Sequence, residues 1–166
     1  SLVCFLTIIA FPLARGIDSI YYQTADQDLL CIFDALYFNQ KIAPDFSATE
    51  GYIHTLILGI WIKINHLLSQ VPISTIDQFI EHSSENGFGA TITPLVISGR
   101  YFSVILGLIF SLVFIIGINY IFKNWPVSIL CGLFLSSTQS FVLHTTIMRW
   151  ELLSALFFMI AILSIL

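Results

Sequence analysis

Charge is the scarcest property of this chain. Only 10% of its 166 residues are charged, against about 25% in a soluble domain. From Tyr101 to Leu166 the charged residues are Lys123, Arg149 and Glu151 alone. Cysteine is also sparse. Cys4, Cys31 and Cys131 show no C-x-x-C or zinc spacing, so neither a disulfide framework nor a zinc module is indicated. A net charge of −4 gives no basis for binding nucleic acid. There is no initiator Met, and no signal-peptide cleavage pattern follows the first apolar run.

What is abundant is apolar surface. Hydrophobic residues make up 57% of the chain, and the mean hydropathy is +0.93. These values predict an all-α, polytopic integral membrane protein. A spanning helix needs about 20 apolar residues. Tyr101–Phe122 and Asn124–Met148 each supply an uncharged run of that length. Lys123, Asn124, Trp125 and Pro126 make a tight turn between them, with Lys123 and Trp125 suited to an interface and Pro126 to a helix's first turn. Residues 1–14 and 152–166 are apolar but short, and read as truncated spans. About four transmembrane helices are therefore expected: 1–14, 101–122, 126–148 and 152–166. The fragment reads as the N-terminal part of a longer polytopic protein.

Residues 15–100 differ. They hold every acidic residue except Glu151. Ser19–Tyr37 mixes apolar residues with Asp26, Asp28 and Asp34, which predicts an amphipathic helix with the carboxylates on its wet side. Tyr52–Leu68 carries His54, Lys63, Asn65 and His66 and reads as an interfacial or re-entrant helix. Residues 69–99, polar and containing Gly87 and Gly89, read as a loop.

Arg149-Trp150-Glu151 stands out because charge is costly beside hydrocarbon and therefore tends to be functional there. The topology decides what faces the triplet. If Tyr52–Leu68 lies along the membrane surface, Arg149 and Glu151 share a side with the whole 15–100 loop. If it crosses, they and Asp18 fall on opposite faces.

Three stretches in order resemble the N-terminal part of GT-C glycosyltransferases, especially the protein O-mannosyltransferase and lipid A aminoarabinose transferase branch. The first is Asp18, Tyr22, Ala25 and Leu29-Leu30, with Ser19 where that family often has a second acid. The second is Thr49-Glu50-Gly51-Tyr52 ahead of an apolar helix, without the family's proline. The third is Gly99-Arg100-Tyr101-Phe102-Ser103 with Gly107, followed by a helix ending in Arg149-Trp150-Glu151. The resemblance implies one large external loop with two juxtamembrane helices, then a second external loop at the triplet. It also implies an inverting transfer of sugar from a polyprenyl phosphate to a lipid, glycan or protein acceptor. The setting it implies is a bacterial plasma (inner) membrane, with membrane lipids as neighbours. A divalent metal is allowed by it and not required.

The chemistry assigns roles to those positions. A sugar acceptor's hydroxyl needs a base, and a partly desolvated carboxylate serves. Asp18 is the catalytic candidate. Arg149 would stabilise the phosphate leaving group by forked hydrogen bonds, and Glu151 would orient Arg149 or touch substrate. Glu50, Tyr22 and Arg100 complete the candidate substrate-binding set. Simpler readings stand beside these. In these, Asp18 caps a helix at the water boundary, and Arg149 with Glu151 is an ordinary flanking ion pair. Arg100 reads first as a snorkelling anchor. Glu50 and His54, at i and i+4, have a metal-ligand spacing that more often marks a solvated face. His144 reads as a satisfied interior histidine that can also line the cleft. Two other classes fit the same charges: a transporter or channel subunit with an Arg/Glu-lined pathway, and a non-catalytic membrane scaffold.

Overall fold

The computed structural model describes residues 27–43 and 51–165. Among these the chain is entirely helical, in seven helices. They are α1 (Gln27–Asn39), α2 (Tyr52–Leu67), α3 (Ile76–Asn86), α4 (Phe88–Phe122), α5 (Trp125–Ser137), α6 (Gln139–Thr146) and α7 (Trp150–Ile165). Two compact units divide the chain, one of residues 18–102 and one of residues 1–17 with 103–166. The division falls inside α4.

In the first unit, α1 buries one stripe: Asp28, Ile32, Ala35, Leu36 and Asn39. These positions recur at helical spacing, so they share a face. The stripe is apolar in the middle and polar at both ends, and both ends are pinned. Asn39 Nδ2 donates to the Gly59 carbonyl at 3.0 Å and to the Ser74 carbonyl at 2.9 Å. Gly59 permits this approach, because a Cβ there would stand 2.9 Å from Asn39 Oδ1. The facing stripe of α2 is His54, Thr55, Leu58, Gly59 and Ile62. Its opposite face leaves Ile53, Ile60, Ile64 and Leu67 exposed. At 16 residues α2 is not among the helices long enough to cross a membrane.

Residues 69–99, expected as a loop, are mostly helix. Only two short breaks remain, residues 69–75 ahead of α3 and the α3–α4 boundary at Gly87 with φ +87°. α3 is short and amphipathic, burying Ile76 and Phe79 while Glu81 and Glu85 stay exposed. α4 begins at Phe88, upstream of the uncharged run, and carries Pro94 inside it. Proline lacks the N–H of the helix ladder, but the packing of Ile92, Leu95 and Val96 in the core holds the segment helical.

In the second unit small residues join apolar ones on the buried faces. α5 buries Ser128, Gly132 and Ser136 and exposes Val127, Leu130 and Phe134. α4 buries Ser103 and Ser111, with Gly107 between them at the same four-residue spacing. Small residues at that spacing let helix backbones approach closely where apolar surface has no water to escape. At Gly107 an added Cβ would collide with the Thr145 side chain of α6.

Among the described residues, α4 is the one helix long and apolar enough by itself to cross a membrane. The expected span 126–148 is not straight. α5 and α6 meet at a 67° bend. The cause lies in Ser136-Ser137-Thr138. Each hydroxyl donates back to a carbonyl three residues earlier, on Leu133, Phe134 and Leu135 at 2.8–2.9 Å. Thr138 adopts extended backbone (φ −69°, ψ 136°) and its Oγ1 accepts from the Phe141 N–H, capping α6. Such side chains offer the backbone an alternative to the helix ladder. α7, apolar and 16 residues long, is also shorter than a span. The expected span 1–14 lies outside the described residues; the other three correspond to one clear candidate, one broken pair and one shorter apolar helix.

Candidate functional site

Asp18, Tyr22 and Glu50 lie outside the described residues, as does Asp26. The remaining candidates separate into two places, one in each unit.

Arg100 is fully buried and is not a snorkelling anchor. Its Nε donates to Asp28 Oδ2 at 3.0 Å, and its Nη2 lies 3.0 Å from the same oxygen. A guanidinium shut into a core needs a counter-charge, since isolated buried charge is strongly disfavoured. Asp28 provides it. The wet-side reading of Asp28 and Asp34 is thereby overturned, because both are buried. Its guanidinium is engaged with Asp28.

Arg149 and Glu151 stand at the start of α7. Arg149 precedes the helix and Glu151 is in its first turn, where a negative charge suits the helix dipole. Arg149 Nη1 and Glu151 Oε1 are 3.7 Å apart, with side chains 28% and 38% exposed. At that distance and exposure the pair adds only about 0–1 kcal/mol. More telling are the atoms left over. Arg149 Nε and Glu151 Oε2 are buried and have no hydrogen-bond partner among the described residues. Each such atom costs about 1–3 kcal/mol, so the arrangement is poor as mere structure.

Glu151 lines a cavity of about 240 Å³. Thr138, Ser140 and His144 supply its other polar walls, and Phe110, Leu135, Phe141, Leu152 and Ala155 the apolar ones. The bend positions these groups, since α6 starts at the Thr138 cap and carries Ser140 and His144. Phe110 and Phe141, with ring centroids 6.0 Å apart, close one side. His144 is not the satisfied histidine expected. Its Nδ1 is buried without a partner among the described residues. Its place in the cavity was foreshadowed by its spacing before Arg149, but its lack of a partner has no sequence signal.

A larger pocket of about 540 Å³ lies in the first unit, lined by Phe38, Asn39, Lys41, Ile42, Ala43, Tyr52 and Lys63. It holds two lysines but no carboxylate or imidazole, so it is the poorer candidate for acid–base chemistry. No group of three metal-ligating side chains occurs among the described residues. Comparison with protein-family models, curated proteins and solved structures gives no match.

Proposed function

We propose that the chain is the transmembrane part of a GT-C-type glycosyltransferase, a multi-pass protein of a bacterial plasma membrane. It would move a sugar from a polyprenyl phosphate to a lipid, glycan or protein acceptor. The observation that carries this reading is the Arg149–Glu151 pair at the head of an apolar helix, with Glu151 lining a cavity. The ordered resemblance at Asp18, Glu50, Arg100 and Arg149-Trp150-Glu151 supplies the reaction class. Membrane residence is supported by the outward apolar rows of α4 and α5, since large apolar patches turned outward mark an interaction surface. The shortness of α2 favours its lying along the surface. In this reading Asp18 is the base, Arg149 steadies the leaving phosphate, and Glu50 and Tyr22 contact substrate. Arg100 has the structural role of neutralising Asp28.

The test is transfer from a radiolabelled polyprenyl-phosphate sugar by the full-length protein in proteoliposomes. Loss of a preorganised charge stabiliser costs about 10²–10³ in rate, and Arg149→Ala and Asp18→Asn are each expected to lose that much. Transfer surviving both changes would refute the assignment. Cysteines placed at 18, 50 and 151 should react with an impermeant maleimide from one common face.

A second reading is favoured by one specific feature, the broken α5–α6 pair. Discontinuous helices with polar breaks form substrate sites in transporters. Solute flux without sugar transfer, with 18 and 151 labelled from opposite faces, would select it.

A further inference from the structure

The cations of the first unit, residues 18–102, are Lys41, Lys63 and Arg100. Arg100 is neutralised in the core by Asp28. The other two line one pocket, with Phe38, Ile42 and Tyr52 among its apolar walls. Both lysines are exposed, so a ligand can reach them. Neither is in an ion pair among the described residues. The exposed carboxylates Asp77, Glu81 and Glu85 are all on α3, and none lines the pocket. A cleft lined by one sign of charge concentrates the opposite sign.

The local fold places each amine. At the end of α1 the Lys41 N–H donates to the Phe38 carbonyl at 3.0 Å, and the Ile42 N–H donates to the Tyr37 carbonyl at 3.1 Å. That pairing sets the residue between them in left-handed backbone, and Lys41 has φ +65°. Lys63 stands on α2 three residues after Ile60 and four before Leu67, so it borders the outward row Ile53, Ile60, Ile64 and Leu67. Phe38 and Tyr52 meet edge to face, with ring centroids 5.8 Å apart, and join α1 to α2 at the pocket. A free inorganic anion would use the lysines and leave the apolar surface wet. Ile42 and Tyr52 are exposed on the pocket itself, and the α2 row is exposed next to it. Cations bordering an apolar helix face suit a molecule that is anionic at one end and hydrocarbon at the other.

We propose that Lys41 and Lys63 hold the phosphate of an anionic phospholipid whose acyl chains meet the outward row of α2. The site goes beyond sugar transfer and does not need it; it rests on α2 lying along the membrane surface.

The test uses the full-length protein in nanodiscs, with Cys4, Cys31 and Cys131 replaced by Ser and a bimane on Ile60→Cys. Quenching by brominated phosphatidylglycerol is compared with quenching by brominated phosphatidylcholine, each as the minor lipid in a phosphatidylcholine bilayer. A lysine near anionic lipid strengthens association about fivefold. With both lysines present, the glycerol lipid should therefore quench at a several-fold lower mole fraction than the choline lipid. Lys41→Gly and Lys63→Gln should each remove about fivefold of that preference, and the double variant should abolish it. Lys63→Arg keeps the charge and should retain it. Glycine takes left-handed backbone freely, so Lys41→Gly removes the amine without lowering the thermal midpoint. Equal quenching by the two lipids with both lysines present overturns the proposal, as does a preference that survives in the double variant. Absence of quenching by either lipid means that protein covers the face, a second copy included, and overturns it too. Displacement of the brominated glycerol lipid by one equivalent of polyprenyl phosphate also overturns it, because the pocket is then the donor's. Failure of sugar transfer with the lipid preference intact refutes the transferase reading alone.

Discussion

Asp28 and Arg100 are separated by 72 positions in sequence and by 3.0 Å in space. Both side chains are shut away from solvent, so the start of α1 is fastened electrostatically to the first half of α4. Removing one partner of a buried pair strands the other and costs about 3–5 kcal/mol. Asp28→Leu and Arg100→Met should each lower the unfolding free energy of the full-length protein in lipid by that order, read as a lower thermal midpoint. The double variant should be milder than the sum of the two. Additive losses in a double-mutant cycle would show that the two charges do not depend on each other.

Gly107 gives a steric prediction. Its missing side chain is what admits Thr145. Gly107→Val should destabilise the protein by about 1–3 kcal/mol, the range for overpacking. Shortening the neighbour, Thr145→Ala, should restore part of that loss. Equal stability of Gly107→Val and wild type by thermal denaturation would show that α4 and α6 are not held this closely.

Thr138 gives a local one. It caps α6 through the Phe141 N–H. Replacing a threonine cap with an apolar residue costs about 1 kcal/mol. Thr138→Val should therefore speed hydrogen exchange at Phe141 and neighbouring amides of α6. Exchange in α5 should change less, since its own cap is Asn124, which accepts from the Val127 N–H at 3.3 Å.

Arg149 separates charge from geometry. Lysine keeps the charge but loses the planar fork. Arg149→Lys should retain more transfer activity than Arg149→Gln, and both should fall below wild type. If Arg149→Gln transfers sugar as fast as wild type, Arg149 does not touch the leaving phosphate.

The sequence made the apolar runs legible, and with them α2, the second half of α4, the Pro126 start of α5, and α7. It misplaced what depends on distant partners. Asp28 looks like a wet residue because carboxylates usually are; only the fold brings Arg100 to it. Residues 69–99 look like a loop because Pro94, Gly87 and Gly89 are strong local breakers, yet core packing around Pro94 outweighs that preference. One signal was present and unused. Ser136-Ser137-Thr138 interrupts an otherwise apolar run with three residues that compete for backbone carbonyls, which foretells the bend. At the candidate site, the triplet at 149–151 and its nearness to His144 were visible. The unpartnered atoms of His144, Arg149 and Glu151 were not, because satisfaction is a property of three-dimensional neighbours.

The bend at Thr138 also sets a depth. At about 1.5 Å per residue, a straight helix over Asn124–Met148 would climb roughly 37 Å, clearing a hydrocarbon layer about 30 Å thick. Turned by 67°, α6 runs mostly sideways, and α5 and α6 together climb only about 25 Å along the α5 axis. Were α5 to stand along a bilayer normal from one face, the chain would come to Arg149 roughly 5 Å short of the far edge of that layer. The triplet would sit in a dent at the membrane's edge, at the level where a lipid's head joins its tail.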